Sequence, residues 1–303
     1  MNRVRVTVHA EEVNKMGIRG RGIGVAVLDT GISLHPDFGR RIVCFCDFLS
    51  GRRSCYDDCS HGTHVSGILG GSGAASDGKY RGIAPECHLI GLKVLDQKGN
   101  GNKEEMLAGI DWVIKNHKAY GIRILNISVG TVKESASMDM QLIRAVERAW
   151  DEGLVVVVAA GNMGPDPMSI TVPGNSRKVI TVGASDDCVK TAVNGVKTCY
   201  SGRGPTAECI CKPDITAPGS LITSCNAIRK GKRGFYTVKS GTSMATPIVS
   251  GCIALLLSVE PELSNVQIKM RLHESAVDLG LPRHQQGWGR IDACRLLRIP
   301  ALE

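Results

Sequence analysis

The chain alternates short, strongly apolar runs with longer segments of helical periodicity. The apolar runs lie at 23–29, 87–95, 122–129, 154–161 and 178–184. Aromatic residues make up only 4% of the chain, so the core must be aliphatic, which suits a parallel sheet buried on both faces. Strands separated by helices form βαβ units. We therefore predict an α/β fold with a mainly parallel, twisted sheet and helices on both faces.

Two of the segments between these runs have clear helical periodicity, 102–118 and 138–153. Asn102 and Glu105 predict a capping box at the start of the first helix, and Gly153 predicts the end of the second. The predicted apolar faces consist of Met106, Leu107, Ile110, Val113, Ile114 and His117 in the first helix, and of Met140, Ile143, Val146 and Trp150 in the second.

The chain has 303 residues, a length that fits one large domain. No internal repeat, low-complexity tract or linker divides it. We predict an N-terminal segment at 1–19 and a single domain at 20–303.

The sequence has no segment that predicts secretion or membrane insertion. Its longest uninterrupted apolar run, 154–160, is far shorter than the ~18 residues that a membrane-spanning helix requires. Charges interrupt the first 15 residues, which lack the apolar centre of a signal peptide. We therefore expect a cytoplasmic protein with no membrane partner.

The net charge of +8 comes from scattered basic residues, with one short cluster at 229–234. No aromatic residues are interleaved with this cluster to stack on bases. A solvated loop is the favoured interpretation, and we expect no nucleic-acid partner.

Twelve cysteines are many for a cytoplasmic protein. The spacing of Cys44, Cys46, Cys55 and Cys59 leaves three interpretations open: a zinc site, oxidative pairing, and reduced thiols packed as small apolar groups. If this region is a strand, Cys44 and Cys46 share one face. A second C-x-C pair occurs at 209–211. Because C-x-C is tighter than the usual zinc spacing, reduced thiols are favoured and no metal site is predicted.

Polar residues follow two of the predicted strands, at the sheet edge where ligands bind in open α/β folds. Asp29 ends the first apolar run, and Asn162 follows the fourth; ordinary turn residues are the alternative interpretation for both. His61 and His64 are three residues apart, without a third ligand or the glutamate of a zinc protease motif. His61 would lie at a helix N-terminus facing the strand ends, and His64 would lie in the core.

The stretch "SGTSMATP" at 240–247 precedes a long apolar run. Ser243 would lie at the N-terminus of a helix, where free N–H groups and the helix dipole favour a developing negative charge. Gly241 and Ala245 leave room for a substrate, and Pro247 would fit the first turn. Ser240 is expected to line the cleft through its backbone.

Four motifs, "VAVLDTGI", "HGTHVSG", "AAGNMG" and "SGTSMATP", occur in the order that they have in subtilisin-like serine proteases. Together with the intervening segments, the chain resembles this family, the subtilases, from about residue 20 to residue 297, and is most similar to the leaderless intracellular bacterial type. The resemblance implies a subtilisin-like fold, with 20–303 as the peptidase domain, and a serine endopeptidase acting on polypeptide substrates through an acyl-enzyme.

The resemblance implies roles for four residues. Asp29, His61 and Ser243 would be the catalytic triad, in the chain order known for subtilisin, and Asn162 would supply the amide of the oxyanion hole. These roles agree with the chemistry, because a serine hydroxyl needs a base to act as a nucleophile and the base needs an orienting carboxylate.

The resemblance also implies where a peptide binds. Two segments would hold it as an added strand, and a third would form the wall of the specificity pocket. These are Ser128, Val129 and Gly130, then Gly99, Asn100 and Gly101, and for the pocket Ala159, Ala160 and Gly161. Met163 stands where many relatives have an acidic residue, so we expect broad specificity with a preference for a hydrophobic residue before the scissile bond.

Some positions depart from the family pattern. Ile248 stands where histidine is common, which we interpret as a packing change. The segment 70–82, where relatives have a calcium loop, contains Asp77 as its only acid, so structural calcium is doubtful. No cofactor and no metal are expected in catalysis.

Two other functions are weighed against peptidase activity. A peptide-binding pseudoprotease would not need intact triad and oxyanion residues. A dinucleotide-binding enzyme, suggested by the glycines at 20–24, is rejected because these glycines precede the strand instead of following it.

Overall fold

The computed structural model describes residues 1–129, 136–190, 197–227 and 234–300. Its helices are α1 (Asn2–Thr7), α2 (Ala10–Lys15), α3 (His61–Gly70), α4 (Lys103–Asn116), α5 (Ala136–Asp151), α6 (Thr242–Val259), α7 (Asn265–Ser275), α8 (Arg283–Gln286) and α9 (Ala293–Leu296), with a 3₁₀ turn at Ala74–Ser76. Its strands are β1 (Gly24–Asp29), β2 (Ile42–Asp47), β3 (His88–Lys93), β4 (Ile122–Ile127), β5 (Val155–Ala159), β6 (Ile180–Ala184), β7 (Cys188–Lys190), β8 (Lys197–Cys199), β9 (Ile215–Ala217), β10 (Ile222–Cys225) and β11 (Tyr236–Lys239).

Within these ranges, seven strands form one parallel sheet in the order β2-β3-β1-β4-β5-β6-β9. The five predicted strands correspond to β1, β3, β4, β5 and β6. β10 pairs with β11, and β7 with β8, as separate antiparallel hairpins. The predicted parallel α/β fold is confirmed.

The sheet is covered on both faces. Every residue of β1 and β5 is buried, which requires packing on each side of the sheet. Helices α3 and α6 pack against each other and against the sheet, and α4 and α5 form a second such pair. The result is the aliphatic core that the composition predicts.

Helix α6 is the central core helix. It is long and apolar enough to cross a membrane, with a mean hydropathy of 1.7, but 83% of it is buried inside the molecule. Its contacts with β4, β5, β6 and β9 explain why nearly all of its residues are apolar or small.

Two expectations about helices need correction. The buried face of α5 contains Leu142, Val146 and Trp150, whereas Met140 is 44% exposed; the face is shifted because the small Ala145 and Ala149 also pack inward. The predicted capping box of α4 does not form, since Asn102 makes no side-chain cap hydrogen bond. Its Nδ2 donates to Glu105 Oε1 instead, at 3.3 Å.

The N-terminal residues pack on the same core. Val4, Val8 and Val13 are buried, and Ala293 donates a backbone hydrogen bond to the Val8 carbonyl. His9 Nδ1 lies 2.7 Å from Asp292 Oδ2, which ties α2 to the start of α9.

The cysteines of the described chain comprise one disulfide and ten free thiols. Cys188 and Cys199 form a disulfide between β7 and β8. Cys44 and Cys46 lie side by side on β2 as free thiols. Cys55 and Cys59 are also free, and they do not join that pair in a group of metal-ligating atoms, so the four do not form a zinc site.

Candidate active site

The site forms where the end of β1 meets the start of α3. Asp29 is the last residue of β1 and is fully buried. His61, the first residue of α3, has 24% of its side chain exposed, and its Nδ1 lies 2.7 Å from Asp29 Oδ1. Because an ionised carboxylate only accepts hydrogen bonds, Nδ1 carries the proton and Nε2 is left as a base.

A glycine permits this close approach of α3 to β1. A Cβ atom built on Gly62 would lie 2.1 Å from the Gly31 carbonyl oxygen and 3.1 Å from Asp29 Oδ1. Real contacts of a Cβ with backbone are not that short, so any side chain would push the helix start away. His61 keeps its distance to Asp29 only with glycine at position 62.

A second carboxylate, Asp57, holds the helix start in place. Its Oδ1 accepts hydrogen bonds from Thr30 Oγ1 and the Ser60 amide, and its Oδ2 accepts from the hydroxyl and amide of Thr63. Thr30 Oγ1 in turn accepts from the Gly62 amide. These bonds connect the residue after β1 to the first turn of α3 on either side of His61.

A buried lysine also supports the end of β1. The ammonium of Lys93 donates to the carbonyls of Thr30 and Leu95 and to Asp58 Oδ1, each at 2.7 Å. The side chain of Lys93 is 1% exposed, so its charge needs all of these partners. The loop that carries Asp57 and His61 is thereby attached to β3 as well as to β1.

The electrostatics favour a basic imidazole. Burial alone lowers the pKa of His61, but the charge and hydrogen bond of Asp29 outweigh it and raise the pKa above its ordinary value. The ammonium of Lys239 acts in the opposite direction and lowers the pKa of His61. The pKa of His61 is therefore raised by the carboxylate of Asp29 and lowered by the ammonium of Lys239.

His64 lies in the core, as predicted. It is fully buried, and its Nε2 lies 3.0 Å from the Ile222 carbonyl and 3.2 Å from that of Thr237. Burial lowers the pKa of His64 to about 3, so the ring is neutral. It attaches α3 to the β10–β11 hairpin.

Ser243 is the second residue of α6 and is half-buried. Ser240 is exposed, and its Oγ accepts from the Leu221 amide at 2.9 Å. The expected position of Pro247 needs correction: because α6 begins at Thr242, Pro247 lies inside the helix, beyond the first turn. It has no N–H to offer to the Ser243 carbonyl, four residues earlier.

The hydroxyl of Ser243 is engaged by a backbone carbonyl in this structure. Its Oγ donates to the Ser128 carbonyl at 2.6 Å. Ser128 lies just beyond β4 and is buried, and its own Oγ accepts from Asn126 Nδ2. A rotation about the Cα–Cβ bond would direct Ser243 Oγ elsewhere without movement of the backbone.

Thr242 orients the side-chain amide of Asn162. Its Oδ1 accepts from the backbone N–H of Thr242 at 2.9 Å and from Thr242 Oγ1 at 3.1 Å. The N–H is only a donor, so Oδ1 faces Thr242 and Nδ2 faces outward. Thr242 Oγ1 also accepts from the Gly161 amide. In the part of the chain that the structure describes, Asn162 Nδ2 donates no hydrogen bond.

Some of the residues expected to bind a peptide are buried at strand ends, and others are exposed in a loop. Ser128, Ala159, Ala160 and Gly161 are buried at the ends of β4 and β5, and Val129 is half-buried. Gly99, Asn100 and Gly101 are exposed in a loop beyond β3. Gly130 lies outside the described residues, and Met163 is 58% exposed beside Asn162.

Sequence reasoning did not identify the residues that position the site. Asp57 and Lys93 resemble ordinary loop and strand residues, and only their contacts reveal their role. Thr30 and Thr63 lie in the motifs that contain Asp29 and His61, but no role was assigned to them. A signal was present for Thr242, since it lies between Gly241 and Ser243 in a motif already singled out.

A family model and curated proteins with similar sequences agree on the family of this chain. The Subtilase family matches residues 20–289. The chain is 43% identical to serine protease AprX of Bacillus subtilis over 278 residues, which are 86% of this chain and 63% of AprX, so it spans less than two thirds of that relative. It is 35% identical to subtilisin Savinase of Lederbergia lenta, covering 90% of each chain.

Solved structures have the same fold. Sphericase superposes with a TM-score of 0.76 and 32% identity, covering 90% of this chain and 92% of its own. The S41 psychrophilic protease gives a TM-score of 0.75 with 32% identity and the same coverage. The subtilisin-like α/β fold is confirmed.

Proposed function

The chain belongs to the subtilase family and is by class a serine-type endopeptidase, and from this premise we propose that Asp29, His61 and Ser243 are its catalytic triad. The observation that carries the proposal is the 2.7 Å contact between His61 Nδ1 and a fully buried Asp29. It fixes the tautomer that leaves Nε2 free to accept the Ser243 proton.

In the proposed reaction, Ser243 Oγ attacks the scissile carbonyl while His61 Nε2 takes its proton. The imidazolium formed is stabilised by Asp29 and then gives the proton to the leaving amine. Water repeats these steps on the acyl-enzyme and releases the acid product. The raised pKa of His61 favours the imidazolium during each step.

The oxyanion of each tetrahedral intermediate would be bound by two donors. Asn162 Nδ2 is directed outward because Thr242 holds Oδ1. The second donor is the backbone N–H of Ser243, which lies in the first turn of α6 and therefore has no partner within the helix. Both donors are fixed before the substrate arrives.

The contact between Ser243 and Ser128 suggests how substrate binding activates the site. A peptide that adds as a strand beyond β4 would donate a backbone N–H to the Ser128 carbonyl. That carbonyl now accepts the hydroxyl of Ser243. The peptide would therefore displace the hydroxyl, which would then turn toward His61.

The proposed specificity is broad, with a preference for a hydrophobic residue before the scissile bond. The expected pocket wall consists of Ala159, Ala160 and Gly161, none of which is charged, and Met163 beside it is apolar. Cleavage of peptide p-nitroanilides that differ only at this residue tests the preference. We expect kcat/KM to be higher for phenylalanine than for glutamate, and the reverse order would reject the proposal.

Casein hydrolysis by wild type and by Ser243→Ala tests the proposed activity itself. Removal of the nucleophile of a triad lowers kcat by about 10⁶-fold in subtilisin, so Ser243→Ala should show only background. Ser240→Ala is the matched control, because among the described residues its Oγ forms a hydrogen bond only with the Leu221 amide. Equal hydrolysis by Ser243→Ala would reject the proposal, and loss in Ser240→Ala alone would reassign the nucleophile.

We also propose that catalysis uses no cofactor and that the loop after α3 binds no calcium. Its only acid, Asp77, is exposed, and the nearby Asp37 carboxylate already accepts from the Ala75 amide and the Tyr236 hydroxyl. The oxygens of these two carboxylates do not supply the six to eight oxygen ligands that a calcium ion takes. The melting temperature of Ser243→Ala should be the same in EDTA and in calcium, and a calcium-dependent increase would contradict this.

A further inference from the structure

The edge strand β2 carries two thiols in contact with each other. Cys44 Sγ and Cys46 Sγ are 3.9 Å apart, and both side chains are half-buried. Because β2 is the outermost strand of the sheet on this side, the pair lies at its margin. Neither residue belongs to the proposed catalytic machinery.

The backbone prevents these thiols from forming a disulfide with each other. Residues 44–46 pair without interruption with β3, Cys44 opposite Ile90 and Cys46 opposite Leu92. In an extended strand, residues i and i+2 are about 6.6 Å apart and point to the same side. A disulfide requires Cβ atoms about 3.5–4.5 Å apart. Oxidation of this pair would therefore require β2 to leave the sheet.

The distance between the two sulfur atoms suits a shared metal cation, although the backbone does not allow a disulfide. Two thiolates that bind one ion tetrahedrally, each at about 2.3 Å, hold their sulfur atoms about 3.8 Å apart, close to the 3.9 Å observed. Among the described residues, no third metal-ligating sulfur, imidazole or carboxylate joins the pair within 4.8 Å.

We propose that Cys44 and Cys46 bind a soft d¹⁰ metal cation, of the class of Zn²⁺ and Cd²⁺, through two thiolates. Thiolates select such ions over calcium and magnesium. Binding replaces two S–H protons by two metal–sulfur bonds and involves no oxidation. Water completes the coordination, so the bound ion can exchange with ions in solution.

Titration of the Ser243→Ala protein with Cd²⁺, with the Cys188–Cys199 disulfide intact, tests the proposal. The thiolate-to-cadmium absorption in the near ultraviolet reports the binding. The Ser243→Ala background prevents self-digestion. We expect one equivalent of Cd²⁺ to produce the band, and Cys44→Ser/Cys46→Ser to weaken the binding at least tenfold. Zn²⁺ should displace Cd²⁺ and remove the band.

The second C-x-C pair provides a matched control. Cys209 and Cys211 have the same spacing and are exposed, but Cys209 has a positive φ of 58°, so this backbone is not an extended strand. Cys209→Ser/Cys211→Ser should bind Cd²⁺ as wild type does. Loss of the band in this control, or its retention in Cys44→Ser/Cys46→Ser, would overturn the proposal.

Protection from alkylation gives a second test that needs no variant at the site. Iodoacetamide modification of each cysteine is measured by peptide mass spectrometry with and without one equivalent of Cd²⁺. Slower modification of Cys44 and Cys46, but not of Cys209 and Cys211, supports the site. Unchanged modification of Cys44 and Cys46 overturns it.

Discussion

At the scale of single residues, the proposed chemistry depends on a few polar side chains held by others. Asp29 fixes the tautomer of His61, and Thr242 fixes the orientation of Asn162. Neither supporting role requires contact with a substrate. Substitution of a supporting residue should therefore change kcat more than KM.

Asp29→Asn should change the pH profile as well as the rate. The base must be neutral to act, so activity appears as pH rises through the pKa of His61, which Asp29 raises above its ordinary value. Without that carboxylate the effect of burial remains, and the pKa falls. The acidic limb of kcat/KM should move to lower pH, while kcat falls by about 10⁴-fold. An acidic limb that moves to higher pH would contradict the assigned pairing.

Thr242→Val should lower kcat about tenfold without much change in KM, since it removes one of the two hydrogen bonds that orient Asn162. Asn162→Ala should lower kcat by about 10²–10³-fold, the loss expected for removal of one oxyanion donor. The double variant should be no slower than Asn162→Ala, because Thr242 acts through that amide. Additive losses would show that the hydroxyl of Thr242 acts in another way.

At the scale of elements, the site depends on how α3 is attached to its neighbours. Asp57 and Lys93 hold its first turn against β1 and β3. One turn later, His64 attaches it to the β10–β11 hairpin. The hairpin leads directly into α6 and Ser243, so His64 helps to connect the two elements that carry the base and the nucleophile.

His64 should make the fold sensitive to acid. Its pKa is lowered to about 3 in the folded state and is about 6.5 in the unfolded chain, so protons bind the unfolded chain preferentially. The stability contributed by neutral His64 is present above pH 6.5 and is lost as pH falls toward 3, by up to ~1.4 kcal/mol per pH unit.

Urea unfolding of Ser243→Ala at pH 7 and pH 4.5, with and without His64→Gln, measures this loss. Glutamine does not titrate and retains an N–H donor for the Ile222 carbonyl. The His64→Gln variant should lose less stability between the two pH values than its parent. An equal loss in both proteins would contradict the burial of a neutral imidazole.

At the scale of the whole molecule, much of the fold could be predicted from the sequence. Apolar runs and helical periodicity located β1, β3, β4, β5 and β6, because buried parallel strands are continuous aliphatic segments. The order of the motifs predicted that Asp29 pairs with His61, and the two side chains are in contact in the structure. The strand β2 was not predicted, since its cysteines and half-exposed residues do not form such a run.

The errors have physical reasons. The inward face of α5 includes Ala145 and Ala149, whose small side chains contribute little to a periodicity based on large apolar residues. Pro247 was placed one turn too early because the helix starts within the motif, at Thr242. The positioning role of Asp57 arises from contacts between loops, which sequence spacing does not encode.

Fluorophosphonate labelling with identification of the modified residue tests the activated serine most directly. In native protein we expect a single labelled serine, Ser243, a rate of labelling that increases through the pKa of His61, and no labelling of Ser243→Ala. His61→Ala should slow labelling of Ser243 by several orders of magnitude, because the base is gone. Labelling of Ser243→Ala, or equal labelling rates in His61→Ala and wild type, would contradict a nucleophile activated by His61.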